Sequence, residues 1–349
     1  MAIRDHRINH HNLAAREMLA FHHGHERAGP VMTEDKRWDP EMRAAFAAYE
    51  KAAAELPPML LRAPFDPSRA INDTLNTRLA AGGPAMAESS DRWVAGYGRR
   101  ILCRLHKPRP GVLPVLVYAH GGGWVWSSVD THDRLVREYA AASGITVVSV
   151  DYALSPEAKF PRALEEVAAV VRHIAQHGAE WGLDPARIVV GGDSAGGNLA
   201  LGTALMLRDT SGPSLRGILA NYPVCAADFD TPGYREFGPG GYFLTEEKMR
   251  FYWQAYLPHE ADRFHPWAAP LHGDCRGLPP TLVHLAELDL LTHEGLAMTE
   301  RLRAAGVTVE CEIFPGLIHG FLRNMATVSG ARAAIAKAGA WLKRATEDL

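Results

Sequence analysis

The sequence predicts an α/β fold, a mostly parallel central sheet flanked by helices. Short apolar runs alternate with helix-length segments through the second two-thirds of the chain, and that alternation builds a parallel sheet covered on both faces. Glycine-rich turns follow some of these runs directly, at the carboxyl ends of strands where such sheets bind ligands. The 349 residues are 47% hydrophobic and 22% charged, close to soluble globular averages. This excludes disorder and collagen-like repeats and leaves one or two domains.

The first 37 residues carry six of the 17 histidines, His6, His10, His11, His22, His23 and His25. They show no regular metal-ligand spacing, so a loosely ordered or partner-covering extension is expected before a metal-binding arm. Asp39 suits a helix cap and Pro40 the first helical position; residues 41–56 are helix formers, stopped by Pro57-Pro58. Residues 82–91 read as a connector. Strands are expected at 113–119, 145–150, 187–191, 215–222, 281–286 and 307–314, and helices at 161–177, 195–208, 293–305 and 329–343. The alternation breaks between Phe229 and Trp267, where 11 of 39 residues are aromatic while the chain as a whole is 8% aromatic. Such a stretch suits a small satellite core or an inserted cap walling an apolar substrate pocket.

Charge and cysteine usage exclude several classes of function. Lys and Arg number 37 against 40 Asp and Glu, for a net charge of −3, with no basic stripe for a phosphate backbone, so no nucleic-acid partner is expected. The four cysteines, Cys103, Cys225, Cys275 and Cys311, are at least 36 residues apart, which fits neither a metal or redox pair nor a disulfide framework. No stretch reaches 18 apolar residues, and the N-terminus lacks a signal-peptide pattern. A cytoplasmic protein without membrane contact is expected.

The strongest chemical signal is Gly192-Asp193-Ser194-Ala195-Gly196, a G-x-S-x-G after the apolar run Ile188-Val189-Val190 and before a helical segment. That context suits a nucleophile elbow, a strained strand-to-helix turn that exposes a serine; a plain glycine-rich turn is the alternative. A serine needs a base, and the base needs a third group to orient it. His319 follows the run 307–314 in a glycine-bracketed loop, and Asp289 follows the run 281–286. Both candidates therefore sit where strands end. Glu294 is the reserve acid, with Thr292 read as a helix cap, and His284 is expected to be a satisfied buried histidine. An oxyanion hole is expected from backbone N–H groups of Gly121, Gly122 and Ala195, since His120-Gly121-Gly122-Gly123-Trp124 directly follows a strand. His120 is expected to brace that loop. Trp124, Tyr222 and Phe321 are the candidate substrate contacts, with Trp124 and Trp126 fitting a packed core equally well.

With these residues in place, the sequence resembles the hormone-sensitive-lipase-like branch of the α/β-hydrolases, a family of microbial carboxylesterases. Four blocks carry the resemblance: His120-Gly121-Gly122-Gly123-Trp124, Asp151-Tyr152-Ala153-Leu154-Ser155-Pro156-Glu157, Gly192-Asp193-Ser194-Ala195-Gly196-Gly197-Asn198 and Ile318-His319-Gly320-Phe321. It covers residues 95–345 and implies an α/β-hydrolase fold with a cap, no cofactor, and hydrolysis of short-chain carboxylic esters. Ser194, Asp289 and His319 would be the triad. The implied organisation is an extension at 1–37, an N-terminal cap segment at 38–94, a catalytic domain at 95–225 and 268–349, and a cap insertion at 226–267. The family allows a homodimer. Where it usually has Asp-Pro-Leu-Arg-Asp-Glu, this chain has Asp289-Leu290-Leu291-Thr292-His293-Glu294, so the loop supporting the acid differs.

The expected reaction is two-step ester hydrolysis through an acyl-enzyme. The same machinery would serve an amide, carbamate or lactone hydrolase. A non-catalytic ligand-binding receptor on this fold is the rival from another class, and the retained triad and glycines argue against it.

Overall fold

The computed structural model describes residues 34–347. Nearly all of the histidine-rich extension therefore lies outside the described residues. Eight strands form one sheet: β1 (Glu88–Gly96), β2 (Arg99–Lys107), β3 (Leu113–Ala119), β4 (Thr146–Asp151), β5 (Leu183–Asp193), β6 (Gly217–Asn221), β7 (Thr281–Leu288) and β8 (Val309–Ile318). Their spatial order is β1-β2-β4-β3-β5-β6-β7-β8. The β1–β2 and β2–β4 pairs are antiparallel and every other pair is parallel. The protein thus has the α/β-hydrolase fold, with the mostly parallel sheet expected from strand–helix alternation.

Nine α-helices are described: α1 (Pro40–Ala54), α2 (Asp66–Thr77), α3 (Asp133–Ser143), α4 (Arg162–His177), α5 (Ala195–Asp209), α6 (Pro232–Phe237), α7 (Glu246–Tyr256), α8 (Thr292–Ala304) and α9 (Ser329–Ala345). Residues of β3 are buried throughout, as befits a central parallel strand covered on both faces. Helix α5 is buried from Ala195 to Leu207, so the nucleophile turn is backed by one of the least solvated helices in the fold. Asp39 caps α1 as expected, its side chain accepting the Met42 N–H at 2.8 Å.

Three expectations need correction. The connector at 82–91 ends in strand, since β1 starts at Glu88 and pairs with β2 across a turn at Tyr97 and Gly98, both at positive φ. Helices α2 and α3 also went unforeseen. Thr292 is no cap: the helix is preceded by Leu291 with no side-chain cap bond, and the Thr292 hydroxyl donates to the Ala286 carbonyl.

The aromatic interval contains α6 and α7, each preceded by a threonine that caps it, Thr231 and Thr245. Its rings meet the N-terminal segment directly: Tyr242 stacks on Trp38 at 5.6 Å, Phe243 lies edge-on to Tyr49 at 5.7 Å, and Phe251 is 6.0 Å from Phe65.

Candidate active site

The sheet register assembles the site. Leu288 on β7 pairs with Ile318 on β8, so the next residue of each strand, Asp289 and His319, emerge side by side. Asp289 Oδ2 lies 2.7 Å from His319 Nδ1, and His319 Nε2 lies 2.8 Å from Ser194 Oγ. Asp289 and His319 are buried while Ser194 is half-buried, so the hydroxyl is the accessible end of the chain. A second acceptor bond fixes the carboxylate, because Asp289 Oδ1 takes the Leu291 N–H at 3.1 Å.

Ser194 stands at φ 56°, a left-handed conformation unusual for a side-chain-bearing residue. Two glycines permit this turn. A Cβ on Gly196 would lie 1.9 Å from the Ala119 carbonyl oxygen, and one on Gly192 would lie 2.3 Å from the Gly196 carbonyl oxygen. The turn therefore presses against the end of β3, with Ala195 opening α5 so that the partial positive charge of the helix N-terminus faces the hydroxyl.

Three expected hole donors become two, because the Gly121 N–H is engaged elsewhere: it donates to Asp193 Oδ1 at 3.0 Å. Gly122, Gly123 and Ala195 donate their N–H groups to nothing among the described residues. Gly122 at φ 124° tolerates no other residue, and a Cβ there would also lie 2.2 Å from the Trp126 carbonyl oxygen. Sequence reasoning passed over Asp193. Its carboxylate also accepts the Tyr118 hydroxyl at 2.8 Å and lies 3.4 Å from His132 Nε2. Burial pushes its pKa up, but His132, Arg323 and the Tyr118 hydroxyl outweigh burial and hold it below the usual carboxylate range. An ionised carboxylate thus ties the glycine loop to the nucleophile turn.

His120 braces the loop: Nδ1 meets the Gly121 carbonyl at 2.8 Å, and its ring stacks on Tyr152 at 4.3 Å. Burial, then His132, pushes its pKa down to about 3, so the ring is neutral. His284 is likewise pushed down to about 3 by burial. Its ring nitrogens find no partner among the described residues, so it is buried without being satisfied.

The candidate substrate contacts are placed differently from expectation. Trp124, Tyr222 and Phe321 are all fully buried. Trp124 stacks on Tyr256 at 4.2 Å, securing α7 to the glycine loop, while Tyr222 lies edge-on to His319 at 4.9 Å and packs against Phe321 at 5.5 Å. The half-buried residues at the rim of the site are Tyr49, Phe243 and Tyr252. A Cβ on Gly123 would strike the Tyr252 ring at 2.5 Å, and one on Gly320 would touch Phe243 at 3.8 Å. No local sequence signal separates these rings from their buried neighbours.

The reserve acid faces away from the histidine, as Glu294 Oε1 accepts the Cys225 N–H at 2.6 Å. Burial drives its pKa well above the ordinary 4.5, and the Asp289 charge adds to the rise. A carboxyl that keeps its proton on folding favours the folded state fully below the unfolded pKa and loses that advantage as pH rises toward the folded one. Glu294→Gln should therefore gain stability over wild type as pH climbs above about 4.5. A gap of about 1 kcal/mol would read as roughly 1–2 °C in Tm for a chain of this length. Melting curves that run parallel across this range would contradict a protonated Glu294.

Residues 116–323 match the family model described as alpha/beta hydrolase fold. An acetyl esterase of Salmonella schwarzengrund is 37% identical over 245 residues, 69% of this chain and 75% of that protein. A carboxylesterase of Mycobacterium tuberculosis is 38% identical over 237 residues, 67% and 74% of the two chains. Among solved structures, a thermostable esterase from Pseudomonas putida superposes with a TM-score of 0.83 at 34% identity, covering 91% of this chain and 100% of that one. A hyperthermophilic esterase from Pyrobaculum calidifontis gives a TM-score of 0.82 at 33% identity, covering 88% and 98%.

Proposed function

Because the chain belongs to the α/β-hydrolase family, in its hormone-sensitive-lipase-like branch, and is a carboxylic-ester hydrolase, we propose that it cleaves short-chain acyl esters with Ser194 as nucleophile. The observation that carries this reading is the unbroken chain from Asp289 Oδ2 through both ring nitrogens of His319 to Ser194 Oγ, at 2.7 Å and 2.8 Å. His319 takes the hydroxyl proton as Oγ attacks the ester carbonyl, then delivers it to the departing alcohol; water repeats the two transfers on the acyl-enzyme. Asp289 holds the Nδ1–H and stabilises the imidazolium.

The developing oxyanion is assigned to the N–H groups of Gly122, Gly123 and Ala195, with Gly121 serving as the anchor through Asp193. Each donor of this kind is worth roughly 100- to 1,000-fold in kcat. The preference for short acyl chains is supported by the aromatic rim of Tyr49, Phe243 and Tyr252 and by the packing of the fully buried Trp124, Tyr222 and Phe321.

A p-nitrophenyl ester series from acetate to decanoate tests the reading. The highest kcat/KM is expected at acetate or butyrate, with a fall of about tenfold or more by decanoate. An optimum at the long end would overturn the short-chain assignment.

A further inference from the structure

Arg323 takes no part in the mechanism above, yet it lies on the short segment that leads directly out of His319. Gly320, at φ 78°, turns the backbone directly after His319 into the short 3-10 helix Phe321–Asn324. The Arg323 N–H closes that turn on the Gly320 carbonyl at 3.3 Å. The side chain is half-buried. Its charge acts on Asp193, His120 and Tyr222, which neighbour Ser194 and His319, and on Tyr49 of α1 and Tyr252 of α7 at the rim.

The guanidinium is held by one neutral partner and paired with no carboxylate among the described residues. Nη1 donates to Asn76 Oδ1, and the Asn76 amide is itself locked by Nδ2 bonds to the Asn72 carbonyl at 2.7 Å and to Asn72 Oδ1 at 2.9 Å. That amide oxygen is its one side-chain acceptor, and no carboxylate pairs with it among the described residues. An arginine carries five N–H donors in a planar fork, is always charged, and matches a carboxylate bidentately. None of the guanidinium nitrogens is buried without a partner, so the donors beyond the Asn76 bond stay open to solvent and to a ligand anion. Lys248 is otherwise occupied: it lies over the Phe243 ring at 4.9 Å and donates to the Phe243 carbonyl.

We propose that Arg323 binds a carboxylate carried by the substrate, so that the preferred esters are half-esters of short dicarboxylic acids. This rests on the esterase reading. The ester carbonyl sits at Ser194, the free carboxylate lies on the guanidinium, and the intervening methylenes pack against the rim aromatics. The reaction is otherwise the one already given: water supplies the hydroxyl that joins the acyl carbon, the alcohol leaves with a proton, and the second product is the dicarboxylate.

The test compares monoethyl succinate, glutarate and adipate with the matching diethyl esters, each assayed by proton release, in wild type, Arg323→Gln and Arg323→Lys. For at least one chain length the half-ester should exceed the diester in kcat/KM by tenfold or more. That ratio should fall at least tenfold in Arg323→Gln, through KM, and recover in part in Arg323→Lys. Because each ratio is taken within one preparation, partial misfolding moves both values alike. Free succinate or glutarate should also inhibit wild-type hydrolysis of p-nitrophenyl acetate competitively, with a Ki raised in Arg323→Gln. An equal ratio in wild type and Arg323→Gln, or a wild-type preference for every diester, overturns the proposal. If p-nitrophenyl acetate is hydrolysed in a Ser194-dependent way under those outcomes, the esterase reading stands and the substrate class falls. If that ester too is inert, both fall.

Discussion

Ser194→Ala is expected to lower kcat on p-nitrophenyl acetate by about a millionfold, to the residual rate that the oxyanion donors and binding supply alone. The substitution removes the one atom that His319 Nε2 meets at 2.8 Å. It leaves the elbow's own bonds in place, since these run through the backbone: the Ser194 N–H donates to the Asn221 carbonyl at 2.9 Å, and the Ser194 carbonyl accepts the Asn198 N–H at 3.0 Å. Thermal stability should therefore change little while activity vanishes. A variant retaining more than about a hundredth of the wild-type rate would contradict Ser194 as the nucleophile.

Asp289→Asn should reduce kcat by roughly 10,000-fold with little change in KM, an effect transmitted through the tautomer of His319. Asp289 presents two acceptors, Oδ2 to His319 Nδ1 and Oδ1 to the Leu291 N–H. An asparagine satisfies the Leu291 N–H only with its carbonyl oxygen, which turns its NH2 group toward His319. Nδ1 must then act as acceptor, the ring proton moves to Nε2, and the base meets the Ser194 hydroxyl with a donor instead of a lone pair. Glu294 offers no rescue, being turned to the Cys225 N–H at 2.6 Å and disposed by burial to keep its proton. Steady-state kinetics on a soluble ester check this, and a loss below tenfold would contradict the orienting role of Asp289.

The legible parts of the fold were those whose signals are local. Apolar runs marked the six parallel strands to within a few residues: β3, β4 and β6 are almost wholly buried and need no polar alternation, while the edge strand β8 shows apolar residues spaced among charged ones. The β1–β2 hairpin escaped because its strands mix buried Val94, Ile101, Cys103 and Leu105 with charged neighbours, and it looks like loop until paired. Helix α2 escaped for a related reason. Its buried residues include Ser68, Asn72 and Asn76, whose burial depends on bonds to Leu60, Ser127 and Arg323 that a sequence does not display.

At the site, the Ser194, Asp289 and His319 positions were readable because each follows a strand, and strand ends converge. The glycine loop was readable as a loop but not as a set of directions. Which N–H points into the site depends on Asp193, whose buried carboxylate claims that of Gly121. The three residues expected to contact substrate are fully buried, and aromatic identity alone does not tell a wall from its backing. An arginine four residues past a histidine is ordinary in sequence; that its one side-chain acceptor is the Asn76 amide, with no carboxylate bonded to it among the described residues, is visible only in the structure.

The most direct test of the central claim is covalent capture of the nucleophile. Intact-mass measurement and peptide mapping after treatment with a fluorophosphonate should show a single adduct on Ser194, formed in step with loss of esterase activity and absent from Ser194→Ala. Activity that survives treatment, or an adduct on a different residue when activity is lost, would contradict a Ser194-centred acyl-enzyme mechanism.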